Sequence, residues 1–377
     1  MTDAIPAAER AQQCRRIFSN VCDRLTRPSD STTPEHSRRL LSRLAHGMQS
    51  HIEGLAPGIT YRDVLLEMSE KMEAYVARYR HDSRFERKQR HVSAMRARVA
   101  EQVSLLVAQG EAHPRTATVF LSTWPSLSSI GDYSAMVRSA TGIAQCDVGR
   151  KNQALVGEVN KLAALYAGGA TQQIEDFLHV NAHLGRQVRS RIYVSARLDG
   201  APDTVIAAWR CTIQRTGLQN EVYFKLATRL SRRFESIVVF QTAKTADAHI
   251  EYLMSEFLRN CPPQLLAEND APTGVPWQRG ICIAPEPATI NTYVRYAGGR
   301  SKISYNQLIA AVTELAFELA CDDVRRNDAS PAPQSFARLA EAAATYFEQM
   351  IKLSDINPDT MAAPLHGGRW PGWMKAF

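Results

Sequence analysis

Apolar residues recur every three or four positions through much of the first half of the chain. Leu40, Leu41, Leu44 and Met48 make one such run. Val64, Leu65, Met68, Met72, Tyr75, Val76 and Tyr79 make a second, and Val92, Met95, Val99, Val103 and Leu106 a third. A period of 3.6 predicts amphipathic helices that bury these stripes in a core. Thr60 stands where an N-cap belongs, with Asp63 in the first turn behind it. Pro114, Pro125 and Gly131 break the stretch 111–150. Residues 151–180, carrying Leu155, Val159, Leu162, Leu165 and Tyr166, read as one more helix that stops at Gly168-Gly169. Residues 1–34, with the turn-forming run RPSDSTTP, read as a loosely structured lead-in.

At Arg191 the period drops to two. In RIYVSAR, Ile192, Val194 and Ala196 share one face, and Arg191, Tyr193, Ser195 and Arg197 the other, which predicts a strand. Pro202 suits the first turn of a helix with the stripe Val205, Ile206, Trp209 and Ile213, ended by Gly217. EVYFKLA and the more apolar ESIVVFQ read as two more strands. A helix through Ile250, Leu253, Met254, Phe257 and Leu258 and a strand GICIA (280–284) come after them. The order strand, helix, strand, strand, helix, strand is the split βαβ pattern. Two long helices, 304–320 and 335–353, come next, and the Gly- and Pro-rich tail HGGRWPGWMKAF closes the chain. The expected fold class is therefore α+β: a helical N-terminal half, then a split βαβ mixed sheet with flanking helices. The expected divisions are a flexible segment 1–34, a helical domain 35–180 and an α+β domain 188–377.

Composition removes several classes of function. No apolar run approaches the ~18 residues of a membrane span, and the charged start MTDAIPAAERAQQCRR predicts no secretory signal peptide. The seven cysteines are odd in number, widely spaced and without a CxxC pair, so neither a disulfide framework nor a thiolate metal site is expected. No Gly-rich nucleotide loop and no HExxH pairing occurs. No metal and no organic cofactor is expected. The net charge of +7 is concentrated: Arg78, Arg80, Arg84, Arg87, Lys88, Arg90, Arg96 and Arg98 face only Asp82 and Glu86. Such a face is either solvated or a surface for an anionic partner. With only Tyr79 and Phe85 interleaved, it argues against a stacking platform for nucleic acid.

The chemistry-bearing residues lie in the alternating strands. Their polar faces carry Arg191, Tyr193, Tyr223 and Lys225, with Arg197, Arg229, Arg232 and Arg233 nearby. If Lys225 and Tyr193 sit side by side on neighbouring strands, cations and phenols line one hollow suited to a phosphorylated or carboxylated ligand. A lysine among arginines and behind apolar residues is expected to have a lowered pKa and to serve as a general base. Arg279, Arg295, Arg300 and Lys302 are further cations for an anion site. The same alternation also fits a solvated sheet face.

The runs RIYVSARLDGAPDTVIAAW, VYFKLA and RRFESIVVF resemble the core of the HopA-type type III effector family, over roughly residues 188–285. They also look like the related lyases of lanthipeptide and thioamitide biosynthesis. Both share a plan with the phosphothreonine lyase effectors, in which a K-F-H-I-S strand is followed by a helix and by D-K-W-K-V and Q-F-T-L-Y-I-K strands. The resemblance implies that Lys225 is the base that removes an α-proton. It implies that Tyr193 stands where those lyases use histidine as acid, and that Arg233 is a phosphate contact. Phe240 and Thr242 replace a tyrosine and a lysine of the lyases' third strand. The reaction that the resemblance implies is β-elimination of phosphate from phosphothreonine or phosphoserine in a protein or peptide. The implied partners are that substrate and a secretion chaperone or host protein. The implied location is the bacterial cytoplasm, with export through a type III system. The alternatives are a lyase of a lanthipeptide or thioamitide pathway, or a non-catalytic effector that binds a host signalling protein.

Overall fold

The computed structural model describes residues 13–26, 52, 54–130, 153–166, 170–174, 177–197, 202–228, 236–242, 244–267, 273–298, 302–327 and 336–361. The run Leu40–Met48, the RPSDSTTP stretch, Gly131, Gly168-Gly169 and the C-terminal tail lie outside them.

The fold is α+β, with a helical N-terminal half. Among the described residues four helices come first: α1 (Gln13–Thr26), α2 (Tyr61–Ala77), α3 (Phe85–Ala108) and α4 (Pro114–Thr123). Thr60 closes a reciprocal capping box with Asp63, whose carboxylate accepts from the Thr60 backbone N–H at 2.8 Å. Helix α5 (Gln153–Ala163) leads into β1 (Thr171–Ile174) and β2 (Phe177–Val180). Next come β3 (Val188–Val194), α6 (Pro202–Thr216), β4 (Tyr223–Ala227), β5 (Ile237–Thr242) and α7 (Asp247–Asn260). The hairpin β6 (Val275–Gln278) and β7 (Ile281–Pro285) precedes α8 (Ala288–Tyr296), α9 (Tyr305–Asn327) and α10 (Phe336–Leu353). Pro202 opens α6, and Gly217, at φ +68°, follows its last turn in the left-handed region.

The seven strands form one sheet in the order β1-β2-β4-β5-β3-β7-β6. Its middle is the split βαβ unit: β5 lies between β3 and β4 and runs antiparallel to both. Every pairing among the described residues is antiparallel, so the described sheet contains no parallel pair of the kind a mixed sheet holds. One face buries Ile192, Val194, Phe224, Val239 and Ile283 against α5–α7, around the fully buried Trp209. The other face turns Tyr193, Val238, Phe240, Cys282 and Ala284 toward one large core. That core is shared by α8–α10 and the N-terminal helices.

Two expectations are corrected here. Within the expected lead-in, residues 13–26 form α1, and its Cys14, Ile17, Phe18, Val21 and Cys22 are buried in the shared core. Their i, i+3, i+4, i+7 spacing is the signal, masked by the polar RPSDSTTP run behind it. Within the expected helix 151–180, the helix ends at Ala163, and residues 171–174 and 177–180 form two strands that widen the sheet.

Candidate functional site

Antiparallel register decides which side chains meet. His179 pairs with Lys225, Lys225 with Val238, Val238 with Tyr193, and Tyr193 with Cys282. Directly paired residues project to one face. The neighbouring row, two residues on, is Tyr223, Phe240, Arg191 and Ala284. Lys225, Tyr193, Tyr223 and Arg191 therefore share a face, as the alternation predicts. They are not on neighbouring strands, however: β5 intervenes, so the Lys225 and Tyr193 backbones are about 10 Å apart at ~4.8 Å per strand. The split βαβ order itself requires this, because its third strand enters between the first two.

The accessible part of this face lies toward β2. Lys225, Tyr223 and His179 are half-buried. The Lys225 ammonium sits 3.9 Å from the centre of the Phe177 ring, a cation–π contact. His179 Nδ1 lies 2.9 Å from the Tyr223 hydroxyl, which donates to it when the imidazole proton is on Nε2. Tyr223 stacks on Phe240 with centroids 4.1 Å apart and planes 10° from parallel. The turn Ala182–Gln187 also packs on Tyr223, and only glycine fits at 185, because a Cβ there would stand 2.8 Å from Tyr223 Cε1.

Arg191 closes the other end. Its Nε and Nη2 donate to Glu286 Oε2 at 2.9 and 2.5 Å, and it hydrogen-bonds Tyr193. Glu286 Oε1 accepts from Asn291 Nδ2 at 3.2 Å, and Asn291 is tied to both the N–H and the C=O of Ile303. Burial disfavours the Arg191 charge, but Glu286 and Tyr193 outweigh it and raise the guanidinium's pKa. Burial pushes the Tyr223 phenol up; Arg191 opposes the shift and Glu286 adds to it. Burial, and then the Lys225 charge, lower His179 to about 4, so the imidazole is neutral at pH 7 and its lone pair is available.

That shift makes a prediction. The His179 ring resonance is expected to titrate near pH 4 by NMR, against an ordinary value of about 6.5. Lys225→Ala should recover only part of the difference, since burial is the larger cause. Between pH 6.5 and 4 the unfolded chain takes a proton that folded His179 refuses. Its contribution to stability is complete above 6.5 and is lost as the pH falls through that window. A midpoint near 6.5 would show that His179 is not held beside Lys225 in this setting.

The remaining expected residues divide. Tyr193 is 2% exposed, with Tyr305 of α9 close enough to feel its charge. The Tyr193 phenol is thus buried in this structure, away from the half-buried end of the face at Lys225, Tyr223 and His179. Its reach is to Arg191. Arg279 lies exposed in the β6–β7 turn at the far edge of the sheet, and Arg295 projects from α8 beside Tyr296, next to Tyr75 of α2. Neither joins Lys225. Arg229, Arg233 and Arg300 lie outside the described residues. His179, Phe177 and Glu286 are absent from the residues that the sequence singles out. The alternation in FLHV is the available signal for the first two, whereas nothing local marks Glu286 as the partner of Arg191.

Among the described residues no helix is long and apolar enough to cross a membrane, and no group of three or more His, Cys, Asp or Glu is placed to hold a metal ion. No family model matches the chain, and no curated protein matches it significantly. Among solved structures it is similar to an effector protein from Pseudomonas syringae pv. tomato strain DC3000. The likeness has a TM-score of 0.32 and 12% identity, over 57% of this chain and 83% of that one.

Proposed function

We propose that this protein is a HopA-like effector-type protein that binds a phosphothreonine- or phosphoserine-bearing segment against the β2–β4 face and eliminates its phosphate. The observation that carries this reading is the cross-strand pair Lys225–His179, with Tyr223 hydrogen-bonded to the imidazole. Lys225, as the free amine, removes the Cα proton. The C–H electrons become the Cα–Cβ double bond as the Cβ–O bond breaks and phosphate departs. His179 and Tyr223 form the polar relay beside the departing oxygens, and the negative charge of an arriving phosphate favours the protonated imidazole that hands a proton to them. Arg191 supplies fixed positive charge across β5 in the neighbouring Tyr223 row, and Tyr193 positions Arg191. The products are a dehydroamino acid and inorganic phosphate.

The test is mass spectrometry of phosphothreonine and phosphoserine peptides incubated with the full chain. Loss of phosphoric acid is expected, slowed by about 10²–10⁴-fold in Lys225→Ala, the range for removing a positioned base. Intact peptides throughout would overturn catalysis. One observation favours a second reading, a site that binds a phosphorylated partner without turnover: the Arg191 charge is already engaged by Glu286. Phosphopeptide binding that needs Lys225 but leaves the peptide's mass unchanged would select it.

A further inference from the structure

The arginine cluster at the α2–α3 turn lies away from the sheet-face site. Three of its neighbouring cations are neutralised locally: Lys88 pairs with Asp82, Arg96 with Glu73, and Arg98 with Asp355. Arg78, Arg80, Arg84, Arg87 and Arg90 are exposed and make no ion pair among the described residues. Arg84, Arg87 and Arg90 span about 9 Å along the start of α3 at ~1.5 Å per residue. Arg84 is also the N-cap of α3 and gives it no side-chain cap, so the positive end of a 24-residue helix adds to the field.

The turn rests on a cluster of aromatic rings. Tyr75 packs on Tyr79 at 4.7 Å and on Tyr296 of α8 at 5.0 Å, and the Lys88 ammonium lies 3.7 Å from the Tyr79 ring centre. Arg295 stands at the edge of this aromatic base. A pre-formed base lowers the ordering cost of binding.

We infer that this turn is a docking surface for an acidic polypeptide segment, a role beyond the sheet-face chemistry and not dependent on it. Guanidinium forks match carboxylates two bonds at a time. A membrane surface fits less well: the exposed apolar residues of this hairpin, Ile59, Leu66 and Leu105, lie toward its opposite end. Nucleic acid fits less well for two reasons. The aromatic faces are occupied by one another and by Lys88, leaving no stacking platform. The carboxylates of Glu73, Asp82 and Glu86 also interrupt the cluster, which repels a continuous phosphate track but leaves separate guanidiniums for separate carboxylates.

Fluorescence anisotropy with a labelled oligoglutamate peptide and the full chain tests this. Binding is expected, and it should weaken steeply between about 50 and about 200 mM salt. Arg84→Glu/Arg87→Glu/Arg90→Glu should weaken it at least tenfold, while Arg259→Glu, an exposed charge reversal on α7, should change it less than twofold. All three patch positions are exposed, so an unchanged melting temperature checks the fold. Oligoglutamate binding indifferent to the triple substitution, or no binding at low salt, would overturn the assignment. So would tighter, arginine-dependent binding to phosphatidylserine vesicles or to a single-stranded oligonucleotide. Any of these failures leaves the peptide-elimination assay unaffected.

Discussion

A chain lacking residues 1–26 is expected to lose its cooperative unfolding transition, or to melt at least about 10 °C lower and aggregate. Helix α1 is not an appendage. Ile17 is fully buried, and Phe18 and Val21 are nearly so. The Phe18 ring packs 4.9 Å from Phe347 and 5.9 Å from Phe317, joining α10 and α9. The Cys14 N–H donates to the Pro358 carbonyl at 2.8 Å, fastening the helix to the chain beyond α10. Burying each of Ile17, Phe18 and Val21 contributes about 1.5–3 kcal/mol, against a net stability of roughly 5–15 kcal/mol for a whole domain. Deletion also uncovers Phe317 and Phe347, a contiguous apolar patch that favours association. The exposed Arg15–Glu348 pair adds little. Differential scanning calorimetry of the shortened chain decides the matter, and a transition at the full-length temperature would refute the packing argument. Ile17→Asp is a milder version: it keeps the chain length and introduces a charge where water cannot follow.

How much of the molecule is legible in the sequence depends on how local each signal is. Alternation in RIYVSAR and EVYFKLA places Arg191, Tyr193, Tyr223 and Lys225 on one face because side-chain direction in a strand depends only on parity. The element order likewise yields the split βαβ core, since short connections leave few topologies. Pairing partners are another matter. TQQI is four residues long and polar, with no alternation to separate it from a turn, so the helical pattern before it absorbs β1, and His179 with it. The Arg191–Glu286 pair joins residues 95 positions apart, and no local pattern distinguishes that carboxylate from any exposed one. Arg295 looks like a ligand cation because it follows the sheet closely in sequence. Helix α8 carries it about 10 Å along its axis to the N-terminal helices. Sequence order does not report that distance.

Glu286→Ala is expected to destabilise the fold by about 3–5 kcal/mol, the usual cost of leaving a buried charge without its partner. The Arg191 and Glu286 side chains keep only 15% and 10% of their surface exposed. An arginine guanidinium does not shed its proton at accessible pH even without its partner, so the penalty has no route of escape through titration. Removing both charges together, in Arg191→Met/Glu286→Leu, should restore most of the loss, because the uncompensated ion and not the missing contact is what costs. Glu286→Gln should fall between, keeping an acceptor for Asn291 while losing the countercharge. Denaturant titration of these proteins together with the single variants Arg191→Met and Glu286→Leu gives the coupling directly, and a near-zero coupling would mean that water, rather than Glu286, solvates Arg191. The same series bears on the anion site. Once Glu286 is gone, the guanidinium in the Tyr223 row, on the same face as Lys225, is open to another anion. Inorganic phosphate is then expected to raise the melting temperature of Glu286→Ala more than that of the unsubstituted chain. If phosphate stabilises both equally, Arg191 takes no part in holding an anion on this face, and its charge serves the fold alone.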